Sequence, residues 1–245
     1  MIAKYTLLFI FTFTLALAKE PQPDHLIFDG LLKKYVKGDR VDYTSFLADR
    51  KELQLYLKQF DSVIINNLSK NEQLVLFINA YNAFTIDLIL ENYSKTLKSI
   101  KDIKTPWDLK YCTIGRAMYS LNEIENKFLR EIFKEPRIHF VINCASISCP
   151  PLPSHAFFAD KIDSQLTEAT TNFMKNPIGV KVNKEKLEIS AIFNWFNADF
   201  ESKELKTISF IISYLPLEVQ KKLPDLNKIL VTYQEYNWNL NDFKK

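Results

Sequence analysis

The longest apolar segment of the sequence, residues 70–93, predicts one long helix that is buried on nearly all sides. Ser69 precedes it as a helix N-cap, and Glu72 stands three residues later, where a capping box places its acidic partner. Apolar residues recur almost all round this helix, which is typical of a core helix and not of a surface helix. We therefore expect the other elements of the fold to pack around it.

Two carboxamides interrupt this apolar helix. Asn79 and Asn82 are three residues apart and share one face of the helix. A buried carboxamide needs hydrogen-bond partners, because an unpaired polar group costs roughly 1–3 kcal/mol. The pair either ties the helix to the backbone of a neighbouring loop or faces a polar cavity and orients a catalytic residue, and the two interpretations are compatible. Both residues are candidate binding residues.

The rest of the pattern predicts shorter helices and small β-hairpins. One hairpin is predicted over residues 111–119 around Gly115-Arg116, a second over residues 180–189, and a last strand over residues 229–233. The aromatic run 193–196 is more typical of a core than of a sugar-binding platform. The predicted fold class is α+β: a helix-rich single domain with a small, mostly antiparallel sheet and a long central buried helix.

Residues 1–18 are predicted to be a cleaved signal peptide. Lys4 supplies a positive start, an apolar stretch follows, and Ala16-Leu17-Ala18 resembles a cleavage site. The apolar run is shorter than the ~20 residues that a membrane span needs. We therefore expect residues 19–245 to form one exported domain, periplasmic or secreted, with no stable membrane span after cleavage.

Composition narrows the class of partner. The net charge is +3, and basic residues are interleaved with acidic ones, without a basic run spaced by aromatic residues. Nucleic-acid binding therefore has no support. Four glycines argue against a Gly-rich phosphate loop. The expected partner is a small molecule or a cell-envelope ligand, and no cofactor is predicted.

Residues 137–151 hold two of the three cysteines and one of the three histidines. Alternating side chains predict a strand over residues 138–143, with His139 and Asn143 on the same face. The segment then turns small and polar, and Pro150-Pro151 require an extended exit. A rigid element that ends in such residues is a common place for chemistry, so we predict a polar pocket there.

Cys144 is the candidate nucleophile of this pocket. A catalytic thiol needs a base within hydrogen-bond reach and a group that orients the base, and His139 and Asn143 are the candidates for these roles. Cys144 has the opposite parity to His139 on a strand, so the two meet only if the chain bends or another base is used. Three more residues of the segment, Arg137, Ser146 and Cys149, are candidate binding residues.

Two other uses of the same residues stay open. His139, Cys144 and Cys149 are spaced H-x4-C-x4-C, which would give a metal three ligands, but zinc sites usually use tighter cysteine pairs and no metal site is predicted. In an oxidising compartment, Cys144 and Cys149 are also the nearest candidates for a disulfide. That pairing would fit a non-catalytic binding module of the cell envelope.

Several segments together resemble a known family, the domain of unknown function 547 (DUF 547). They are FINAYNAFTIDLIL (77–90), YSLNEIENKFLR (119–130), RIHFVINCASISCPPL (137–152) and FNWFNADF (193–200), with VDYTSFLADRKELQLYL (41–57) and YNWNLN (236–241) similar to flanks of exported bacterial members. The resemblance implies no established reaction. Members commonly have His where this chain has Asn126. The expected function is a thiol-dependent hydrolase or acyl transferase, with the binding module as the alternative.

Overall fold

Most of the regular structure is helical. The computed structural model describes residues 22–183, 186–201, 206–221, 223 and 229–244, so the predicted signal peptide, residues 1–18, lies outside the described residues. The α-helices of the described residues are α1 (His25–Tyr35), α2 (Tyr43–Phe46), α3 (Arg50–Lys58), α4 (Lys70–Asn92), α5 (Leu121–Glu123), α6 (Ile162–Lys175), α7 (Ile192–Trp195), α8 (Asn197–Phe200), α9 (Thr207–Tyr214) and α10 (Leu217–Gln220). Helix α5 continues directly into a π-helix, Ile124–Phe133.

The strands are short and form small sheets. In chain order they are β1 (Val36–Lys37), β2 (Arg40–Val41), β3 (Cys112–Ile114), β4 (Ala117–Tyr119), β5 (Val180–Val182), β6 (Lys186–Ile189) and β7 (Leu230–Tyr233). Pairs β1–β2, β3–β4 and β5–β6 are antiparallel, and β7 is parallel to β6. The β3–β4 turn has Gly115 and Arg116 at φ +60° and +66°, which suits a tight hairpin turn. The α+β prediction is confirmed.

Helix α4 is the centre of the fold, as its composition predicts. The predicted capping box is present: the Glu72 amide donates to Ser69 Oγ at 3.3 Å, and the Ser69 amide donates to a Glu72 carboxylate oxygen at 2.8 Å. Of the described helices, α4 is long and apolar enough to cross a membrane by length and composition, but 89% of its apolar window is buried inside the fold. Burial of that kind is typical of a core helix.

Two hydrophobic clusters meet at residues 136–142. The larger cluster surrounds α4 and includes Ile138, Val141 and Ile142. The smaller cluster is built on α9 and the three-stranded sheet, and it includes Phe140. Residues of this short segment are therefore buried on both sides, at the junction between the clusters.

The strand predicted over residues 138–143 is wrong. In the structure Pro136–Phe140 is a 3₁₀ helix, with proline at its start and the Glu135 side chain accepting from the Arg137 amide at 3.0 Å. The alternation of side chains arises because the segment lies between two apolar clusters, and not because it is pleated. A pattern of buried residues cannot by itself distinguish these two cases.

Asn79 and Asn82 join α4 to the loops that pass over it. Asn82 accepts from the Asn143 amide at 2.8 Å and donates to the Val141 carbonyl at 2.8 Å. Asn79 makes the same pair of bonds to the amide and carbonyl of Phe157, both at 3.0 Å. Each carboxamide thus pairs with one backbone amide and one backbone carbonyl of a loop, as a neighbouring strand would do in a sheet. The interpretation that they tie the helix to loop backbone is confirmed.

Asn82→Leu is expected to lower the free energy of unfolding by about 2–5 kcal/mol, because two buried backbone groups lose their partner. Urea denaturation of the folded protein measures the change. Asn66→Leu is the matched control, since Asn66 is exposed, and its effect is expected to stay within about 0.5 kcal/mol. Equal losses in the two variants would contradict the structural role of Asn82.

Candidate functional site

A cavity of about 220 Å³ lies beside the segment that follows the 3₁₀ helix. Its polar side chains are Glu125, His139, Cys144 and Cys149. Six of its thirteen lining residues are Tyr, Trp or Phe: Tyr81, Trp107, Trp195, Phe196, Tyr236 and Trp238. A pocket is thus found where the sequence predicts one, but it is mainly apolar and not mainly polar.

The loop that carries Cys144 is held by Asn143. The Asn143 side chain accepts from the Ala145 amide at 2.8 Å and donates to the Pro150 carbonyl at 2.7 Å, so it joins the two ends of the loop. Ala145 has φ +58°, a left-handed conformation that turns the chain sharply after Cys144. Asn143 therefore shapes the loop. The catalytic role predicted for Asn143 is indirect in this geometry.

The C-terminal segment forms the other side of the loop. The amides of Ile147 and Ser148 donate to the carbonyls of Asn239 and Asn237, at 2.8 and 3.2 Å. This contact brings Tyr236 next to Cys144, although 92 residues separate them in sequence. The cavity wall is therefore assembled from segments that are far apart in the chain.

Three polar side-chain atoms lie close to the sulfur of Cys144. Cys149 Sγ and Ser146 Oγ each lie 3.0 Å from Cys144 Sγ, and the Tyr236 hydroxyl lies 3.3 Å from it. The Cys149 thiol and the two hydroxyls lower the pKa of the Cys144 thiol to about 6, against the opposing effect of burial. Thiolate is the nucleophilic form of cysteine, so this environment favours a reactive sulfur.

Cys149 is the less acidic thiol of the pair. Burial and the neighbouring Cys144 raise the pKa of Cys149 well above its ordinary value. Its sulfur also accepts from the Cys144 amide at 2.9 Å. Both cysteines are free, with their sulfur atoms 3.0 Å apart, so the disulfide considered from the sequence is not shown. Cys112 is also free and is buried on β3, and burial raises the pKa of its thiol.

Glu125 brings a carboxyl group into the same cavity, and sequence reasoning missed it. It lies on the π-helix, and the Tyr81 hydroxyl donates to its Oε2 atom at 3.3 Å. Burial raises the pKa of Glu125 to about 7, and negative charge on Cys144 adds to the shift. One signal was available: Glu125 precedes Phe128 and Leu129 by three and four residues, which places a carboxylate on the apolar face of a helix.

His139 lines the cavity, but its Nε2 atom is hydrogen-bonded to Asp199. Its Nε2 atom lies 2.7 Å from Asp199 Oδ2, and its ring stacks on Phe196 with centroids 4.1 Å apart. Burial lowers the pKa of His139, so the ring is neutral and Nε2–H is the donor. The 3₁₀ turn and the bend after it bring His139 and Cys144 to one cavity, while the described hydrogen bonds join each of them to other partners.

Arg130 is the third member of a hydrogen-bonded chain that runs from His139 through Asp199. It donates to both carboxylate oxygens of Asp199, at 2.5 and 3.0 Å. Burial opposes ionisation of Asp199, but the bonds from His139 and Arg130 hold its pKa well below the usual range. Arg130 also donates to Asn126 Oδ1 at 2.5 Å, so Asn126 takes part in this network from the residue next to Glu125.

The remaining candidates lie elsewhere. Arg137 pairs with Glu135 and Asp163, at 2.7 and 2.9 Å, and is not among the residues that line the cavity. Asn79 and Asn82 contact backbone and are not lining residues either. Among the described residues, no three His, Cys, Asp or Glu side chains are arranged to hold a metal ion.

Comparison with known proteins reports on family and not on reaction. No curated protein and no solved structure matches the chain. Residues 65–174 match the model of the family described as "Protein of unknown function, DUF547". The matched part contains Glu125, His139, Cys144 and Cys149, but not Asp199. Over residues 65–174, from the turn before α4 to α6, the chain therefore resembles the DUF547 family, as the sequence blocks at 77–90, 119–130 and 137–152 predict.

Proposed function

We propose that the cavity is the active site of a thiol-dependent hydrolase or acyl transferase, with Cys144 as the nucleophile. The observation that carries the proposal is the surroundings of the Cys144 sulfur. The Cys149 sulfur and the hydroxyl oxygens of Ser146 and Tyr236 lie within 3.3 Å of it. The cavity also contains the Glu125 carboxyl group. A stabilised thiolate beside a proton carrier is what covalent acyl chemistry requires.

Glu125 is the proton carrier in this proposal. The Cys144 thiol has a pKa of about 6 and Glu125 of about 7, so a thiolate and a protonated carboxyl group coexist between these values. The pKa of the Cys144 thiol is shifted down and that of the Glu125 carboxyl group is shifted up. Opposite shifts in one site are a recognised means of assigning acid and base roles.

The reaction then proceeds in two balanced steps. The Cys144 thiolate attacks the carbonyl carbon of an ester, thioester or amide, a carbon–sulfur bond forms, and the bond to the leaving group breaks. The Glu125 carboxyl group gives its proton to the leaving group. Water or another nucleophile next attacks the thioester, Glu125 takes up its proton, and Cys144 leaves as the thiolate.

His139 acts as a positioning residue in this scheme. Through Asp199 it holds Arg130, and the charges of Arg130 and Asp199 both act on Glu125. The role predicted for His139 as the direct partner of Cys144 thus passes to Glu125. His139 stays part of the site because its ring forms cavity wall.

The proposal is tested by trapping the acyl intermediate. Incubation with p-nitrophenyl acetate is expected to add one acetyl group, located at Cys144 by peptide mass spectrometry, in the wild type and in Cys112→Ala. Acetylation that persists unchanged in Cys144→Ala would contradict the proposal. So would a quantitative Cys144–Cys149 disulfide in unreduced protein that resists mild reductant, since it leaves no thiolate.

Export of the chain stays a prediction from residues 1–18. A periplasmic or secreted location would place the proposed thiol in an oxidising environment. The small-molecule or envelope ligand also stays a proposal.

A further inference from the structure

The size of the cavity limits what it can hold. An apolar cavity of roughly 150 Å³ accommodates benzene, so about 220 Å³ suits one small ring or a short alkyl chain. Beyond the four polar residues, its lining is aromatic apart from Ile142, Pro150 and Ile192. An occupant of the cavity is therefore small and mainly apolar.

The charges around the cavity disfavour an anionic occupant. None of the described lining residues is a lysine or arginine. A carboxylate or phosphate group would lie near Cys144 and Glu125, whose ionised forms repel it, and no basic side chain among the described lining residues would pair with it.

The aromatic wall is not arranged as a cage for a cation. Trp195, Tyr236 and Trp238 pack on one another, with ring centroids 4.5–5.7 Å apart, so much of their faces is already covered. Lys101 Nζ lies 3.5 Å from the centroid of the Trp238 ring and already uses this cation–π site. A neutral apolar group fits the wall better than an ammonium group does.

Trp195 forms the boundary between the cavity and solvent. Its side chain lines the cavity and is nevertheless 47% exposed, whereas Phe193, two residues earlier, is fully buried in the core. Trp195 also contacts Tyr236, which reaches the Cys144 sulfur. Contacts from Trp195 to Tyr236 to Cys144 therefore connect the exposed edge of the cavity with the sulfur.

We propose, resting on the proposed function, that the cavity binds the neutral acyl group of an ester or thioester, roughly six to eight carbons long, and that Trp195 determines the accepted length. The carbonyl carbon lies at Cys144, and the acyl chain lies along the aromatic wall towards Trp195.

Binding can be measured before any turnover, from the initial change in tryptophan emission, because all three tryptophans of the chain line this cavity. The whole protein is titrated with acetamide, hexanamide, hexanoate and hexylammonium while tryptophan emission is followed. Each buried methylene contributes roughly fourfold in affinity. Hexanamide is expected to bind at least about tenfold more tightly than each of the other three probes.

Trp195→Ala is expected to reduce the preference for hexanamide over acetamide by at least about threefold. Trp107 and Trp238 still report binding in this variant. Phe243→Ala is the matched control: Phe243 is 53% exposed, does not line the cavity, and its removal is expected to leave the preference unchanged. An unchanged preference in Trp195→Ala would overturn the role of Trp195.

The outcomes separate this inference from the proposed function. Equal binding of hexanamide and acetamide, or tighter binding of hexanoate or hexylammonium, overturns the neutral acyl group even if Cys144 is acetylated. Selective hexanamide binding without acetylation of Cys144 supports the specificity of the cavity and refutes the thiol chemistry.

Discussion

Cys144→Ala is expected to abolish acyl transfer, with a loss of at least about 1000-fold in the acylation rate constant, because the thiol that remains at the site, Cys149, has a raised pKa and stays protonated. Single-turnover release of p-nitrophenol from p-nitrophenyl hexanoate measures it. Cys144→Ser is expected to be nearly as inactive, since a serine hydroxyl in this position has no adjacent base that deprotonates it fully. The thiolate of Cys144 depends on its low pKa, which an alcohol does not share.

Cys112→Ala is the control for this prediction. Cys112 is buried on β3, outside the cavity lining, and burial raises the pKa of its thiol, so it is expected to be unreactive. Its removal is expected to change the rate less than about twofold, provided that circular dichroism shows a folded protein. A comparable loss in both cysteine variants would assign the effect to stability and not to chemistry.

The pH dependence of acylation is expected to be bell-shaped, with its maximum between about pH 6 and 7. Below about pH 6, Cys144 becomes protonated and loses its nucleophilic form. Above about pH 7, Glu125 loses the proton that it gives to the leaving group. Because the two groups interact, the two limbs of the profile give apparent pKa values of the pair and not of either residue alone.

Glu125→Gln is expected to lower the acylation rate about 10²–10³-fold and to remove the alkaline limb, because the amide has no proton to transfer. Alkylation of Cys144 by iodoacetamide needs no such proton and should keep an inflection near pH 6 or slightly below, since a negative neighbour is gone. Slow acylation combined with normal alkylation of Cys144 is a result that a purely structural role of Glu125 would not produce.

Glu131→Gln is the matched control on the same π-helix, where Glu131 is exposed to solvent. It is expected to keep both limbs of the profile and nearly full activity. If the alkaline limb persisted in Glu125→Gln and was lost in His139→Asn, the proton carrier would be His139, as the sequence had predicted.

Local signals carried much of the fold. The capping box at Ser69 and Glu72, the β3–β4 hairpin and the buried character of α4 depend on neighbours in sequence, and all are found as predicted. The strand predicted over residues 138–143 is wrong because a segment buried on two sides shows the same alternation of side chains as a strand. The backbone of this segment is hydrogen-bonded by the side chain of Asn82 and not by another strand.

The sequence by itself determined the α+β class, the central helix and the segment around Cys144 as the place to look for chemistry. Only the tertiary structure decided what that segment can do. Glu125 enters the cavity on a π-helix, Tyr236 reaches Cys144 from the C-terminal segment, and Asp199 accepts the hydrogen bond of His139. The contacts of Asp199 and Tyr236 join residues 60 or more positions apart in the sequence. The position of Glu125 depends on the register of a π-helix, which composition does not encode. The reactivity of Cys144 therefore becomes visible only in the folded chain.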